Sequence, residues 1–192
     1  MMSPEEVRLG LSGLWRLVRF KADFSLFFDR SPASAKRSFW LAIPILPFYL
    51  AIQLPAIEEA AKTAGDARAF GTLLIAYPIL WVAFPLVLLL AARLIEREGQ
   101  VFGAVVIYNW LNVLAIGTSL PILLGHLGGL NADLLATADL AAYVFYYVVE
   151  CYAFRRLLEI AWSVALALTI VDLALSRIMY GVIDAMMQAP LF

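Results

Sequence analysis

Between Ser38 and Met186 the chain is a succession of five long stretches in which apolar residues occupy nearly every position, separated by short polar breaks. A helix that is apolar all round belongs in lipid or in the middle of a large protein, and about 20 such residues, rising about 1.5 Å each, cross a bilayer. The pattern predicts five transmembrane helices, over about 38–54, 70–92, 101–124, 134–154 and 160–186. The expected fold class is all-α: a polytopic membrane bundle forming one domain, 38–192, preceded by a cytoplasmic amphipathic segment, 1–37. Pro44 and Pro47 in the first span and Pro78 and Pro85 in the second remove backbone donors and favour kinks, and the first span is expected to be bent. The breaks contain Pro55, Glu58, Glu59, Lys62, Gly65, Asp66 and Arg68; then Arg93, Glu96, Arg97, Glu98 and Gly99; then the glycine-rich turn Gly125 to Asn131; then Arg155 and Arg156.

The periodicity before the first span is different. Ser3-Pro4-Glu5-Glu6 has the form of a helix start, with Ser3 as cap, Pro4 at the first helical position and Glu6 completing a capping box. Acidic residues come first, unlike a cleaved signal peptide, which opens on positive charge. Val7, Leu11, Leu14 and Val18 then recur at helical spacing, with Arg8, Arg16 and Arg19 on the other side. This predicts an amphipathic helix too charged to span. Its expected place is the membrane surface, with Trp15, Phe20, Phe24, Phe27 and Phe28 entering the interface while Arg8, Arg16 and Arg19 meet anionic headgroups; the rival is docking on the chain's own spans.

Composition agrees: 64% of residues are hydrophobic, only 15% are charged, and mean hydropathy is +0.87, against about 45–50% apolar usage in soluble domains. A net charge of −1 leaves no basic surface for phosphates, so nucleic acid is not an expected partner. The distribution of charge is more informative than its sum. Eleven lysines and arginines fall in the N-terminal segment and the second and fourth connections, against Lys62 and Arg68 in the first connection. Since cytoplasmic segments keep the basic excess, the N-terminus is expected in the cytoplasm and, after five spans, the C-terminus outside, in a bacterial inner membrane.

Ionisable side chains inside a bilayer are costly and normally face the protein interior with a partner. Asp139, Asp172 and Arg177 fall at similar expected depth, about 18–25 Å from the cytoplasmic edge, and could form an acid-base-acid cluster. Asn109 and Asn112 share a helix face at about 12–17 Å and could join it. Asp139, Tyr143, Tyr146 and Glu150 recur in steps of four, three and four, a polar and aromatic stripe expected to face the other helices. Such a cluster either holds the bundle together through interhelical hydrogen bonds or relays a proton or ion.

Other candidate chemistry is thin. His126 has no second histidine, and Cys151 is the single cysteine, so neither a metal site nor an intramolecular disulfide is expected. Ser119, Ser163 and Ser176 lack a base at helical spacing, and Trp40, Tyr49, Trp81 and Trp162 fit interfacial or packing positions. No enzyme and no cofactor is expected. Small residues four apart, Ala161 with Ala165 and Gly181 with Ala185, permit close helix contact and self-association.

The run Tyr108-Asn109-Trp110-Leu111-Asn112-Val113, followed by Tyr152-Ala153-Phe154-Arg155-Arg156 and Val171-Asp172-Leu173-Ala174-Leu175-Ser176, resembles bacterial Yip1-like five-span membrane proteins. The resemblance covers the C-terminal half and the general layout. The short motifs of eukaryotic Yip1 proteins are not visible in the first two helices. It implies a polytopic inner-membrane protein without cofactor chemistry and assigns no catalytic residue. The function expected is a non-enzymatic scaffold, assembly factor or accessory subunit, with the lipid bilayer and a membrane-protein partner or second copy as its contacts. The alternative is a small transporter or channel-like protein built on Asp139, Asp172 and Arg177.

Overall fold

Ser3 starts the first helix as its spacing requires: the Ser3 backbone N–H donates to Glu6 Oε2 at 2.7 Å and the Glu6 N–H to Ser3 Oγ at 3.1 Å. The computed structural model describes residues 2–189. Its helices are α1 (Pro4–Leu17), α2 (Pro32–Ser38), α3 (Ala42–Ala64), α4 (Asp66–Leu94), α5 (Val101–Leu127), α6 (Ala132–Leu157) and α7 (Trp162–Gln188), with 3-10 turns at Ala22–Phe27 and Phe39–Leu41. No strand occurs among the described residues. Five helical stretches, Pro32–Lys62 and α4 to α7, are long and apolar enough to cross a membrane.

Four of the five spans are longer than the apolar runs that predict them, while α7, at 27 residues, is shifted by two. The first helix does not stop at Pro55 but runs to Ala64, so that Glu58, Glu59 and Lys62, expected in a loop, occupy its last turns. A proline forfeits one hydrogen bond, and flanking helical residues carry the chain through it. Gly65 alone separates α3 from α4; its φ of 83° and ψ of 150° turn the chain between them, a conformation open to glycine and strained for other residues. The glycine-rich turn at the same end narrows to the residues between Leu127 and Ala132.

Three helix ends close without glycine. Phe20, Glu96 and Glu159 take positive φ of 54°, 57° and 54°, and the following N–H reaches back from Lys21 to the Arg16 carbonyl, from Arg97 to Ala92 and from Ile160 to Arg155. These are Schellman closures, each satisfying carbonyls the helix leaves unpaired.

Helices α4, α5, α6 and α7 form a ring in which each packs on the next, and α3 lies across α4, α5 and α7. One end of this ring gathers the N-terminal segment, the α4–α5 connection and the α6–α7 connection, and with them all eleven basic residues counted above. The opposite end has Lys62 and Arg68, the latter donating from Nε to the Met186 carbonyl at 3.1 Å.

The N-terminal segment is packed against the basic end of the bundle. Leu14, Leu17, Gly10 and Gly13 form the buried face of α1. Gly10 lies so close that a Cβ there would stand 2.0 Å from the Trp110 ring, and one at Gly13 would stand 2.4 Å from Phe28. Phe24 and Phe28, expected in the membrane interface, are buried instead, at 0% and 6% exposure. Phe24 and Phe20 meet the ring of Tyr152, whose hydroxyl donates to the Phe20 carbonyl at 3.0 Å, and Phe28 meets Trp110. The reason is sequence-local: two small residues three apart let α1 settle on a tryptophan, and its aromatics follow. Arg37 anchors the segment from α2, donating from Nε to Glu6 at 2.8 Å and pairing at 3.5 Å with Asp29. Leu11 and Trp15, on the outer face of α1, stay exposed at 50% and 63%.

Candidate functional site: a polar cavity inside the helix ring

The ring of α4 to α7 borders a half-open cavity of about 280 Å³. Its wall carries Tyr108, Asn112 and Ser119 from α5, Asp139, Tyr143, Tyr146 and Tyr147 from α6, and Asp172, Arg177 and Tyr180 from α7, with Leu80 of α4 as an apolar patch. Helical periodicity places them. On α7, Asp172, Ser176 and Tyr180 follow one another every four residues; on α6, Asp139, Tyr143 and Tyr146 do the same at four and three.

The floor of the cavity lies toward the basic end. There Asp172, 2% exposed, accepts a hydrogen bond at 3.1 Å from the Tyr108 hydroxyl, which bridges α5 and α7. Beside it is the carboxyl of Glu150, wholly buried. Among the described residues neither Glu150 oxygen accepts a bond from an N–H donor; what the carboxyl faces is Asp172, with which it can share a proton. Among the described residues no lysine or arginine forms an ion pair with this carboxyl pair. A buried carboxyl without a partner cation takes up or shares a proton, so this pair is a place where a proton or an entering cation supplies the balance. Nearer the basic end Ala153 and Phe154 are packed without exposure and close the floor.

Arg177 and Asp139 stand higher, at exposed positions on the wall. From the helix ends, a rise of about 1.5 Å per residue puts Asp172 about 15 Å, Arg177 about 22 Å and Asp139 about 27 Å from the basic end. Arg177 donates from Nε to the Tyr143 hydroxyl at 3.0 Å and its guanidinium lies 4.9 Å from the centre of the Tyr143 ring. The acid-base-acid cluster expected of Asp139, Asp172 and Arg177 is therefore corrected: the three line one cavity but form no ion pair among the described residues, because they differ in depth by several ångströms and Tyr143 occupies the arginine.

Asn112 joins the cavity, its Nδ2 donating to the Tyr108 carbonyl at 3.2 Å. Asn109 does not. It is buried on the other side of α5, donating from Nδ2 to Ser38 Oγ at 2.8 Å, while Ser38 donates to the Ala35 carbonyl at 2.8 Å. Residues three apart diverge by about 60° around a helix, enough for one asparagine to clamp α2 and the next to face the cavity. Tyr108, Tyr147 and Tyr180 are site residues that sequence reasoning did not single out. Tyr108 precedes Asn112 by four and Tyr180 follows Asp172 by eight, so extending each polar stripe along its helix face would have found two of them.

The expected membrane-surface residues lie at the basic end. Arg8 pairs with Glu5 at 2.6 Å, Arg16 pairs with Asp23 and covers the Phe27 ring at 4.8 Å, and Arg19 lies 5.6 Å from the Trp15 ring. Among the described residues no group of three histidine, cysteine or acidic side chains could hold a metal ion. Compared with known protein families, curated proteins and solved structures, the chain matches none.

Proposed function

We propose that this chain is a small transporter or channel-like protein of a bacterial inner membrane, in which the cavity within α4 to α7 binds a small polar solute. One observation carries the reading: a cavity of about 280 Å³ among the membrane-length helices reaches the buried carboxyl of Asp172, behind which lies Glu150, and among the described residues no lysine or arginine pairs with either. A bundle held together by polar contacts has no need of the space, since interhelical hydrogen bonds are made by closing helices on one another. Intramembrane acids beside an open cavity are the form in which membrane proteins carry protons and ions. The clustering of eleven basic residues at one end supports a cytoplasmic N-terminus and an outward C-terminus. In that orientation the carboxyl pair lies nearer the cytoplasm, sealed from it by the packed floor, and α1 lies at the headgroup level with Leu11 and Trp15 outward.

The second reading, a scaffold or accessory subunit with a Yip1-like layout, is supported by the same exposed Leu11 and Trp15, which could meet a partner in place of lipid. Proteoliposomes loaded with a pH-sensitive dye separate the two. A transporter passes protons under an imposed gradient, and Asp172→Asn abolishes the flux while the protein still elutes as a folded species; a scaffold shows no flux in either form and yields a stoichiometric membrane partner on pull-down from nanodiscs.

A further inference from the structure

Five tyrosines, Tyr108, Tyr143, Tyr146, Tyr147 and Tyr180, share this cavity with Asp139 and Asp172. Tyr147 stands in edge-to-face contact with both Tyr143 and Tyr146, at centroid distances of 4.8 Å and 5.1 Å. Edge-to-face packing leaves ring faces of different orientation around one space, and a ring face attracts a cation through its quadrupole, most strongly out of water. One face already shows this: the Arg177 guanidinium lies 4.9 Å from the centre of Tyr143. The charge of the cavity has the same preference, since Asp139 and Asp172, with Glu150 behind them, outnumber the single Arg177. Behind Asp172, outside the lining of the cavity, the buried Glu150 carboxyl faces Asp172 and among the described residues receives no N–H donor.

Resting on the reading of the cavity as a solute site, we propose that its ligand is a small organic ammonium ion, held over the tyrosine rings of α6 with its charge directed at Asp172. A bare metal ion would find two carboxylates and few other ligands, whereas an alkylammonium ion uses both the rings and the acids. A neutral sugar would have hydroxyl partners but would leave the acids unbalanced, and an anion would be repelled.

The test is calorimetric titration of the purified full chain in nanodiscs with choline and tetramethylammonium, against 3,3-dimethylbutan-1-ol, the neutral isostere of choline. Both cations are expected to bind, with choline at least about tenfold tighter than the isostere, and Tyr147→Leu to weaken choline about tenfold with the thermal unfolding midpoint unchanged. Equal binding of choline and the isostere, or no cation binding at millimolar concentration, overturns the inference. The proton-flux assay reports separately. Asp172-dependent flux without ammonium binding removes this inference and leaves the transport reading, whereas choline binding without flux removes transport and leaves the ligand class.

Discussion

The two ends of α5 show two ways of building inside one helix. Of its first eleven residues, Val101 to Leu111, all but Phe102 are buried; beyond Leu111 only Gly125 is. The basic half is wrapped by α1, α2, α4 and α6, with Trp110, Phe84, Phe154 and Leu157 at 2% exposure or less. The far half borders the cavity from Asn112 to Ser119, with Tyr108 of the basic half at its floor. In lipid, helices gain nothing from hiding apolar surface from water, so their association rests on close packing and polar contacts. A half that is packed throughout is a rigid base. A half that leaves a polar hole has given up that packing at a place where lipid tails cannot usefully fill it. The difference is structural: the basic half fixes the helices, and the far half leaves the space in which the proposed site lies.

The largest expected effect breaks the base. Trp110→Ala removes the ring on which α1 and Phe28 rest, and large-to-small changes of a buried tryptophan cost about 3–5 kcal/mol. The matching change in the other half, Tyr143→Ala on the cavity wall, is expected to cost about 1 kcal/mol or less, since the ring borders open space and is not fully buried. Chemical unfolding of the two variants in the same detergent gives the comparison. Equal losses would mean that the halves are not differently packed. Gly10→Val attacks the same contact from the other side: its added carbons have no room beside Trp110, so α1 is expected to lift and become sensitive to protease while the five long helices persist.

How much of this was legible in the sequence follows from what each half is made of. The five spans were, because an unbroken apolar run needs no partner to be recognised, and the capping box at Ser3 was, because it is satisfied within four residues. Span ends were misplaced at Pro55, Glu58 and Glu59, where a helix continued by its backbone overrides the local charge and proline. The docking of α1 was not the favoured reading, because Leu11 and Leu14 fit lipid as well as protein; the pair Gly10 and Gly13 carried the missing information, being small where an interfacial helix has no need of it. Of the polar cluster, the stripe from Asp139 to Glu150 was visible as a period. Which groups would touch was not, since the depth difference between Asp172 and Arg177 and the attraction of Arg177 to Tyr143 depend on the relative placement of α6 and α7.

A smaller effect sharpens the view of the base as idealised packing. Glu96 is exposed and holds φ of 57° at the end of α4, where a side chain costs about 1 kcal/mol relative to glycine. Glu96→Gly is expected to raise stability by about that amount without changing the cavity, read as a higher unfolding midpoint and unaltered flux. A fall would show that the Glu96 side chain contributes more than its backbone strain removes.

The smallest effect concerns pH, and it falls on the base alone. The Ser3 backbone N–H, with Arg37 beside it, holds the Glu6 carboxyl below its ordinary value, and the Ser31 backbone N–H does the same for Asp29. Groups whose folded values are depressed contribute stability that is present above their unfolded values and lost as pH falls through the folded ones. Acidification below the ordinary carboxylate range is therefore expected to loosen α1 from α2, where Arg37 loses both partners. Because these side chains are a quarter to a half exposed, the loss is screened and amounts to about 1 kcal/mol or less. Tryptophan fluorescence, to which Trp15 and Trp110 contribute from this region, should shift on acidification in the wild type and much less in Glu6→Gln, which has no such charge to lose. An acid transition of the same size in Glu6→Gln and in a combined Glu6→Gln, Asp29→Asn variant would place the sensitivity away from the N-terminal segment and against the division drawn between the two halves.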